Sequence, residues 1–403
     1  MLAASAHEDV VERASASASA RRVRTPLANA LPALLIYLLV RAVGVAWLAY
    51  RTHGFGPYFH RLLTRAYDAT FYRDIALHGY GPSPRVGCSM HTVQCKYAFF
   101  PLYPGLIRVA NDVLPGPADL LAWAIAAVCA LIAACGIFAV TELVAGRRAA
   151  ILAVALWGIV PHAMVESMAY SEPVFTAFAS WALYAMLRQR WGVTVVLTIL
   201  AGLTRPVGVA VVLAAEVALG SAAWSARADA GADADVRRRA KLVGYMLLAP
   251  VGWLGWIAWV GYRTGAWNGY QRIQASWHSN FDFGRYTVRN ILAVFDTSRV
   301  SLDSVEAMAT VVVAVILLLL SLQQRERLPL IAYSLGLVVL AVGSAGYFNS
   351  KSRYLLPAFP LLIPIARILA RARLQSVITI VGAATVLSAL YGGYLLTTFH
   401  SSP

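Results

Sequence analysis

The run Leu27–Tyr50, LANALPALLIYLLVRAVGVAWLAY, decides the fold class. As an α-helix it exceeds the roughly 30 Å of a bilayer's hydrocarbon core. It is too long for the core of a signal peptide and lacks a small-residue cleavage site, so it reads as a retained first membrane span. The basic cluster Arg21-Arg22-Val23-Arg24 before it places the N-terminus in the cytoplasm. Residues 1–25, Ala/Ser-rich and without apolar period, read as a disordered tail.

The rest of the chain follows the same pattern. Of 403 residues, 59% are hydrophobic and 13% charged, against about 25% charged in a soluble domain. The net charge of +15 raises nucleic acid as a partner, but Lys and Arg fall in short clusters between apolar runs. That is the distribution of cytoplasmic loops beside anionic lipid, so a multi-pass membrane protein is expected and nucleic-acid binding is not. Cys129 and Cys135 lie in an apolar run and read as packing residues. Cys88 and Cys95 flank a short polar loop and can form a local disulfide if it faces an oxidising compartment.

Further apolar runs near 118–144, 149–165, 170–187, 191–204, 206–223, 242–261, 306–322, 329–346, 354–370 and 375–397 predict an all-α protein of about eleven spans. That count puts Arg147/Arg148, Arg188/Arg190, Arg237 to Lys241, Arg325/Arg327 and Arg371/Arg373 on the cytoplasmic side. Residues 26–400 then form one transmembrane domain, with residues 51–117 and 262–305 as two large extracytoplasmic segments. The apolar run at 98–113, interrupted by Pro101 and Pro104, reads as re-entrant or interfacial. No internal repeat is evident.

This topology sends most chemically useful groups to one face. In Tyr67-Asp68-Ala69-Thr70-Phe71-Tyr72-Arg73-Asp74-Ile75, helical spacing puts Phe71, Tyr72 and Ile75 beside Asp68. Asp74, six residues on, points elsewhere and is expected to be solvated. Glu172, Arg205, Lys351 and Arg353 reach the same extracytoplasmic side, as do Gln271, Gln274, Trp277 and His278. Singly, each has a plain structural reading: an arginine snorkels to headgroups, and an acid before Pro173 favours a helix start. His78, His91, His162 and His278 lack an i,i+4 histidine and read as interfacial hydrogen-bonders.

Together they suit a phosphate-bearing lipid, because guanidinium recognises phosphate by paired charge-assisted hydrogen bonds. A sugar leaving from a lipid phosphate departs as a stable anion, so cations replace the general acid that a glycosidase needs. One carboxylate, Asp68, then suffices to accept the proton of the acceptor hydroxyl.

Tyr67-Asp68-Ala69, followed by Tyr72, Ile75-Ala76 and Gly79-Tyr80, resembles the first-luminal-loop motif of the PIG-V-type mannosyltransferases, which belong to the GT-C glycosyltransferases. Similar blocks continue at Ala98-Phe99-Phe100-Pro101-Leu102-Tyr103-Pro104, Tyr170-Ser171-Glu172, Thr204-Arg205-Pro206 and Arg353-Tyr354-Leu355-Leu356-Pro357. They run from about residue 65 to 365 in the family's order. The family commonly has Trp at the place of Tyr67, and the paired acidic motif of many GT-C enzymes is absent.

The resemblance implies a GT-C-like fold, a polyprenyl-phosphate mannose donor and inverting transfer to a hydroxyl of a lipid-linked or cell-envelope glycan at the extracytoplasmic face. It also implies Asp68 as the catalytic carboxylate. On this reading Arg205, Lys351 and Arg353 hold the phosphate, and Glu172, Tyr72 and Tyr354 serve the sugar. Phe99, Phe100 and Tyr103 take the start of the prenyl chain, and Gln271, Gln274, Trp277 and His278 face the acceptor. No cofactor is required; Asp68 with Glu172 makes a poor divalent-cation site unless phosphate oxygens complete it. A transporter or flippase, with polar groups at mid-membrane and repeated halves, and a non-catalytic relative that binds lipid-linked sugar are the alternatives.

Overall fold

The computed structural model describes residues 26–81, 93–225, 232–295 and 301–399. Among them all regular structure is helical, apart from one isolated bridge between Phe281 and Ser344. α1 (Pro26–Arg51) is the first span, followed by α2 (Pro57–Thr64) and α3 (Asp68–His78), the helix that opens on Asp68. A 3-10 turn at Val93–Ala98 leads to α4 (Leu102–Val113), then to the long α5 (Ala118–Ala145) and the short α6 (Arg147–Trp157). α7 (Glu172–Leu187), α8 (Trp191–Gly202), α9 (Val209–Ser225), α10 (Ala232–Leu248) and α11 (Val251–Thr264) continue the bundle. α12 (Gly269–Ser276) and α13 (Arg285–Ala293) are short, and α14 (Leu302–Gln323), α15 (Leu328–Gly343), α16 (Lys351–Leu355), α17 (Ile363–Arg371) and α18 (Leu374–Thr397) complete the described chain.

The chain is an integral membrane protein, and the expected count of about eleven spans is not reached by helix length and composition alone. Six helical stretches among the described residues are long and apolar enough to cross a membrane. A seventh arises if Phe348–Leu355 and Phe359–Arg371, bent by 79°, count as one. The other four runs become α6, α7, α8 and α15, of 11, 16, 12 and 16 residues. At 1.5 Å per residue even the longest reaches only about 24 Å. α4 has 12 residues and is likewise too short to span by length.

The shortening of α6 and α7 has a cause in the segment between them. Residues 158–171 leave the helix after Trp157, form a 3-10 turn at Ala163–Ser167, and are largely buried. Non-helical backbone inside a membrane protein is tolerated where protein groups satisfy it. Here Arg41 Nη1 donates to the Gly158 carbonyl at 3.0 Å, Trp123 Nε1 to that of Ser167 at 3.0 Å, and the Ala169 N–H to that of Leu63 at 2.8 Å. Tyr37, stacked on Trp157 with ring centroids 5.2 Å apart, donates its hydroxyl to Glu166 at 2.9 Å.

α5 and α7 pack closely along a small-residue seam, as membrane helices do where side chains let backbones approach. Gly136 is the point of closest fit: a Cβ there would come 2.2 Å from Ser180 Oγ. The main apolar core lies among α5, α6, α7, α9 and α15. A second core, including Phe59, Tyr72, Tyr103, Met164 and Tyr170, sits beneath α2, α3 and α4. It carries the site described next.

Candidate active site

Asp68 is the first residue of α3, where the helix N-terminus favours a carboxylate. The turn before it is strained: Tyr67 has φ 53° and ψ −124°, a conformation a non-glycine residue adopts at a cost of about 1–3 kcal/mol. Its hydroxyl donates to the Phe399 carbonyl at 3.4 Å. The Asp68 N–H donates to the hydroxyl of buried Tyr170 at 3.4 Å, fixing the start of α3 against the segment before α7.

The carboxylate opens into a cavity of about 180 Å³. Around it stand Tyr72, Phe99, Phe100, Arg205, Gln274, Trp277, Arg353 and Tyr354, all singled out from the sequence. Ala98, Thr204, Pro206, Ser279, Tyr347 and Ser350 complete the lining. Five chain segments, at 68–72, 98–100, 204–206, 274–279 and 347–354, are thus drawn to one point. The Leu102 N–H donates to the Leu203 carbonyl at 3.0 Å, tying the Phe99–Phe100 segment to Thr204–Pro206. Trp277 Nε1 donates to the Cys95 carbonyl at 3.2 Å, and Tyr80 OH to that of Phe99 at 2.9 Å.

The electrostatic centre is a row of four charges. Arg353 Nη2 donates to Asp68, and Arg353 Nε to Glu172 Oε1. Arg205 Nη1 lies 2.6 Å from the other Glu172 oxygen and donates to Ser171 Oγ at 2.9 Å. Ser171 in turn shares a 2.6 Å hydrogen bond with Tyr72 OH. Burial pushes the Tyr72 phenol well above its ordinary value, with Arg205 opposing, so it stays protonated and available for hydrogen bonding. The Arg353 guanidinium carbon stands 4.7 Å from the Tyr170 ring centroid, a cation–π contact that holds its plane. Arg205 Nε is buried with no hydrogen-bond partner among the described residues.

The aromatic wall is ordered by its own packing. Phe71 stacks on Phe99 with centroids 4.8 Å apart, and Trp277 sets its edge against both, at 5.3 and 5.9 Å. Gln274 Nε2 donates to Tyr270 OH at 2.6 Å. The wall is closed on one side by a contact between the loops at 278–280 and 345–346 that no motif announces. The Ala345 N–H donates to the Asn280 carbonyl at 2.6 Å, and Gly346, at φ +98°, lets the chains touch: a Cβ there would lie 2.5 Å from the His278 carbonyl oxygen. Ser279 and Tyr347 enter the cavity by this route.

Other residues named from the sequence lie elsewhere. Lys351 is turned into the protein, with Nζ donating at 2.6 Å to the carbonyls of Ala341 and Ser344, so it does not meet the cavity. Tyr103 is fully buried beneath Tyr72 and spends its hydroxyl on the Ala122 carbonyl at 2.9 Å. Gln271 and His278 point to the exposed side. Glu172 is at 0% exposure, behind the two arginines rather than in the cavity. Asp74, expected to be solvated, is buried: Lys96 Nζ lies 2.5 Å from it and His78 Nδ1 3.1 Å. Cys95 is disulfide-bonded; Cys88, the partner expected from the sequence, lies outside the described residues, as does His91. Among the described residues no three His, Cys, Asp or Glu side chains form a group able to hold a metal ion.

No family model and no curated protein matches the chain. Solved structures of the Archaeoglobus fulgidus oligosaccharyltransferase are similar in outline. The form tethered to an acceptor peptide containing the NVT sequon is 13% identical, with a TM-score of 0.47, over 92% of this chain and 56% of that one. The complex with an inhibitory peptide and a dolichol-phosphate is also 13% identical, with a TM-score of 0.46, over 90% and 55%. This chain therefore spans little more than half the length of the structures it resembles.

Proposed function

We propose that the protein is a GT-C-type membrane glycosyltransferase that moves a mannosyl residue from a polyprenyl-phosphate donor to a hydroxyl of a lipid-linked or envelope glycan. The observation that carries this reading is one cavity in which a carboxylate, Asp68, stands among two guanidiniums and an aromatic wall. The sequence resemblance to the PIG-V-type enzymes supports the same assignment for the same residues.

On this reading Arg205 and Arg353 face the donor phosphate, and the unpaired Nε of Arg205 is a donor in waiting. Phe99, Phe100 and Trp277 form the apolar side against which the sugar and the first isoprene units lie. Asp68 takes the proton from the acceptor hydroxyl as its oxygen bonds to the sugar's anomeric carbon. The bond from that carbon to the phosphate oxygen breaks, and its electron pair leaves with polyprenyl phosphate, whose charge the guanidiniums stabilise. No general acid is needed, because the leaving group is already a stable anion. An extracytoplasmic position for the cavity is part of this proposal, supported by the basic clusters expected on the opposite side.

The test is transfer of radiolabelled mannose from polyprenyl-phosphate mannose in membranes. Asp68→Asn is expected to abolish product while leaving the protein inserted and abundant. Near-normal turnover in that variant removes Asp68 from the mechanism, and vectorial movement of donor without product replaces the enzyme by a transporter.

A further inference from the structure

Glu172 is sealed from the cavity yet touches both cations that line it. Arg353 takes one carboxylate oxygen and Arg205 the other, while the residue itself is at 0% exposure. A group so enclosed cannot meet a sugar or a solvated cation. What it does is hold two guanidiniums beside one another, each bound to it through one nitrogen, while both residues line the cavity. Buried arginines without such an anion would repel each other and pay full desolvation.

The same Arg353 also engages Asp68, through Nη2. The carboxylate oxygen that accepts this N–H has the lone pair on that side occupied, so it is not open there to an incoming hydroxyl. Asp68, Glu172, Arg205 and Arg353 sum to zero formal charge, so the cluster is balanced by itself; a phosphate entering the cavity adds an anion that competes for the same guanidinium edge.

We propose that Arg353 masks Asp68 until the donor binds and that the donor's phosphate, by taking over Arg353 Nη2, releases Asp68 to act as base; Glu172 is the positioning residue that keeps Arg205 and Arg353 in one cradle. The inference rests on the lipid-phosphate donor proposed above and deepens it: the base becomes competent only when the donor is in place. Its distinctive consequence is one of binding. Asp68 and the phosphate are rivals for one cation, so losing the charge of Asp68 strengthens phosphate binding even as it removes turnover.

The experiment measures binding of radiolabelled decaprenyl phosphate, with decaprenol as headgroup control, to the full-length protein in nanodiscs. Asp68→Asn is expected to bind the lipid phosphate about tenfold more tightly, the worth of one charge-assisted hydrogen bond no longer contested. Decaprenol binding is unchanged. Glu172→Gln is expected to bind the phosphate about tenfold more weakly, because the cradle loosens. Simple relief of a negative field would tighten both variants and fade at high salt, whereas direct competition survives it. Should Glu172→Gln fail to fold, the Asp68→Asn measurement at low and high salt decides alone. The inference is overturned if Asp68→Asn binds no more tightly, if its gain vanishes in salt, or if a folded Glu172→Gln gains as well. Absence of lipid-phosphate binding in the wild-type protein overturns the donor reading itself, and the masking with it; normal wild-type binding with the wrong pattern overturns the masking only.

Discussion

Two aspartates on one short helix are put to opposite uses. Asp68 and Asp74 both lie in α3, and both are paired with a cation. Asp68 keeps 21% of its side chain exposed and its arginine lines the same cavity. Asp74 keeps 4%, and Lys96 beside it keeps 3%, with Lys96 Nζ also donating to the Gly81 carbonyl at 3.0 Å. The first pair opens on a space where an anion can compete; the second is closed on every side and ties the end of α3 to the 3-10 turn before Phe99. An ion pair becomes chemistry when one partner can be exchanged for a ligand, and architecture when neither can.

The sharpest way to break this contrast is to exchange the charges one at a time. Asp68→Asn is expected to lower kcat by about a thousandfold, the range of a lost general base, with an unaltered thermal unfolding midpoint. Arg353→Ala, read by steady-state kinetics of mannosyl transfer, is expected to lose about a hundredfold, as for removal of one stabiliser of the leaving anion. The mirror experiment is Lys96→Met, which removes the buried cation beside Asp74. A stability loss of about 3 kcal/mol is expected in denaturant or thermal unfolding of the solubilised protein. The double variant Asp74→Asn/Lys96→Met recovers most of that loss if the pair is only structural. At the small end, Gln271→Ala and His278→Ala change kcat/KM by less than about twofold, since both side chains are exposed and away from the cavity. A large effect of either restores an acceptor-side role that their placement does not support.

The contrast also measures what a motif can carry. Asp68, Arg205 and Arg353 were recognisable because an ionisable group beside apolar runs is costly and therefore informative. Lys351 looked identical by that criterion and is nevertheless turned into the bundle against two carbonyls. Asp74 is buried for the converse reason: Lys96, which pairs with it, lies across a loop, and helical spacing says nothing of what a loop returns. Ser171 stood inside a quoted motif, but its role as the link from Arg205 to Tyr72 depends on packing at 2.9 and 2.6 Å. Ser279 and Tyr347 had no signal, since a loop-to-loop contact through Gly346 leaves no periodicity in either segment.

By itself the sequence determined the class: an all-helical membrane protein, because apolar runs of this length and charge distribution have no other stable solution in lipid. It also determined which side chains were out of place in that setting. Tertiary structure decided how many runs are long enough to span, since helix length depends on where the backbone finds other hydrogen-bond partners, as it does in residues 158–171. It decided, too, which of the misplaced charges share a cavity. Charge and spacing are local properties, whereas the meeting of α3, the Thr204–Pro206 turn and α16 is set by packing between segments distant in the chain.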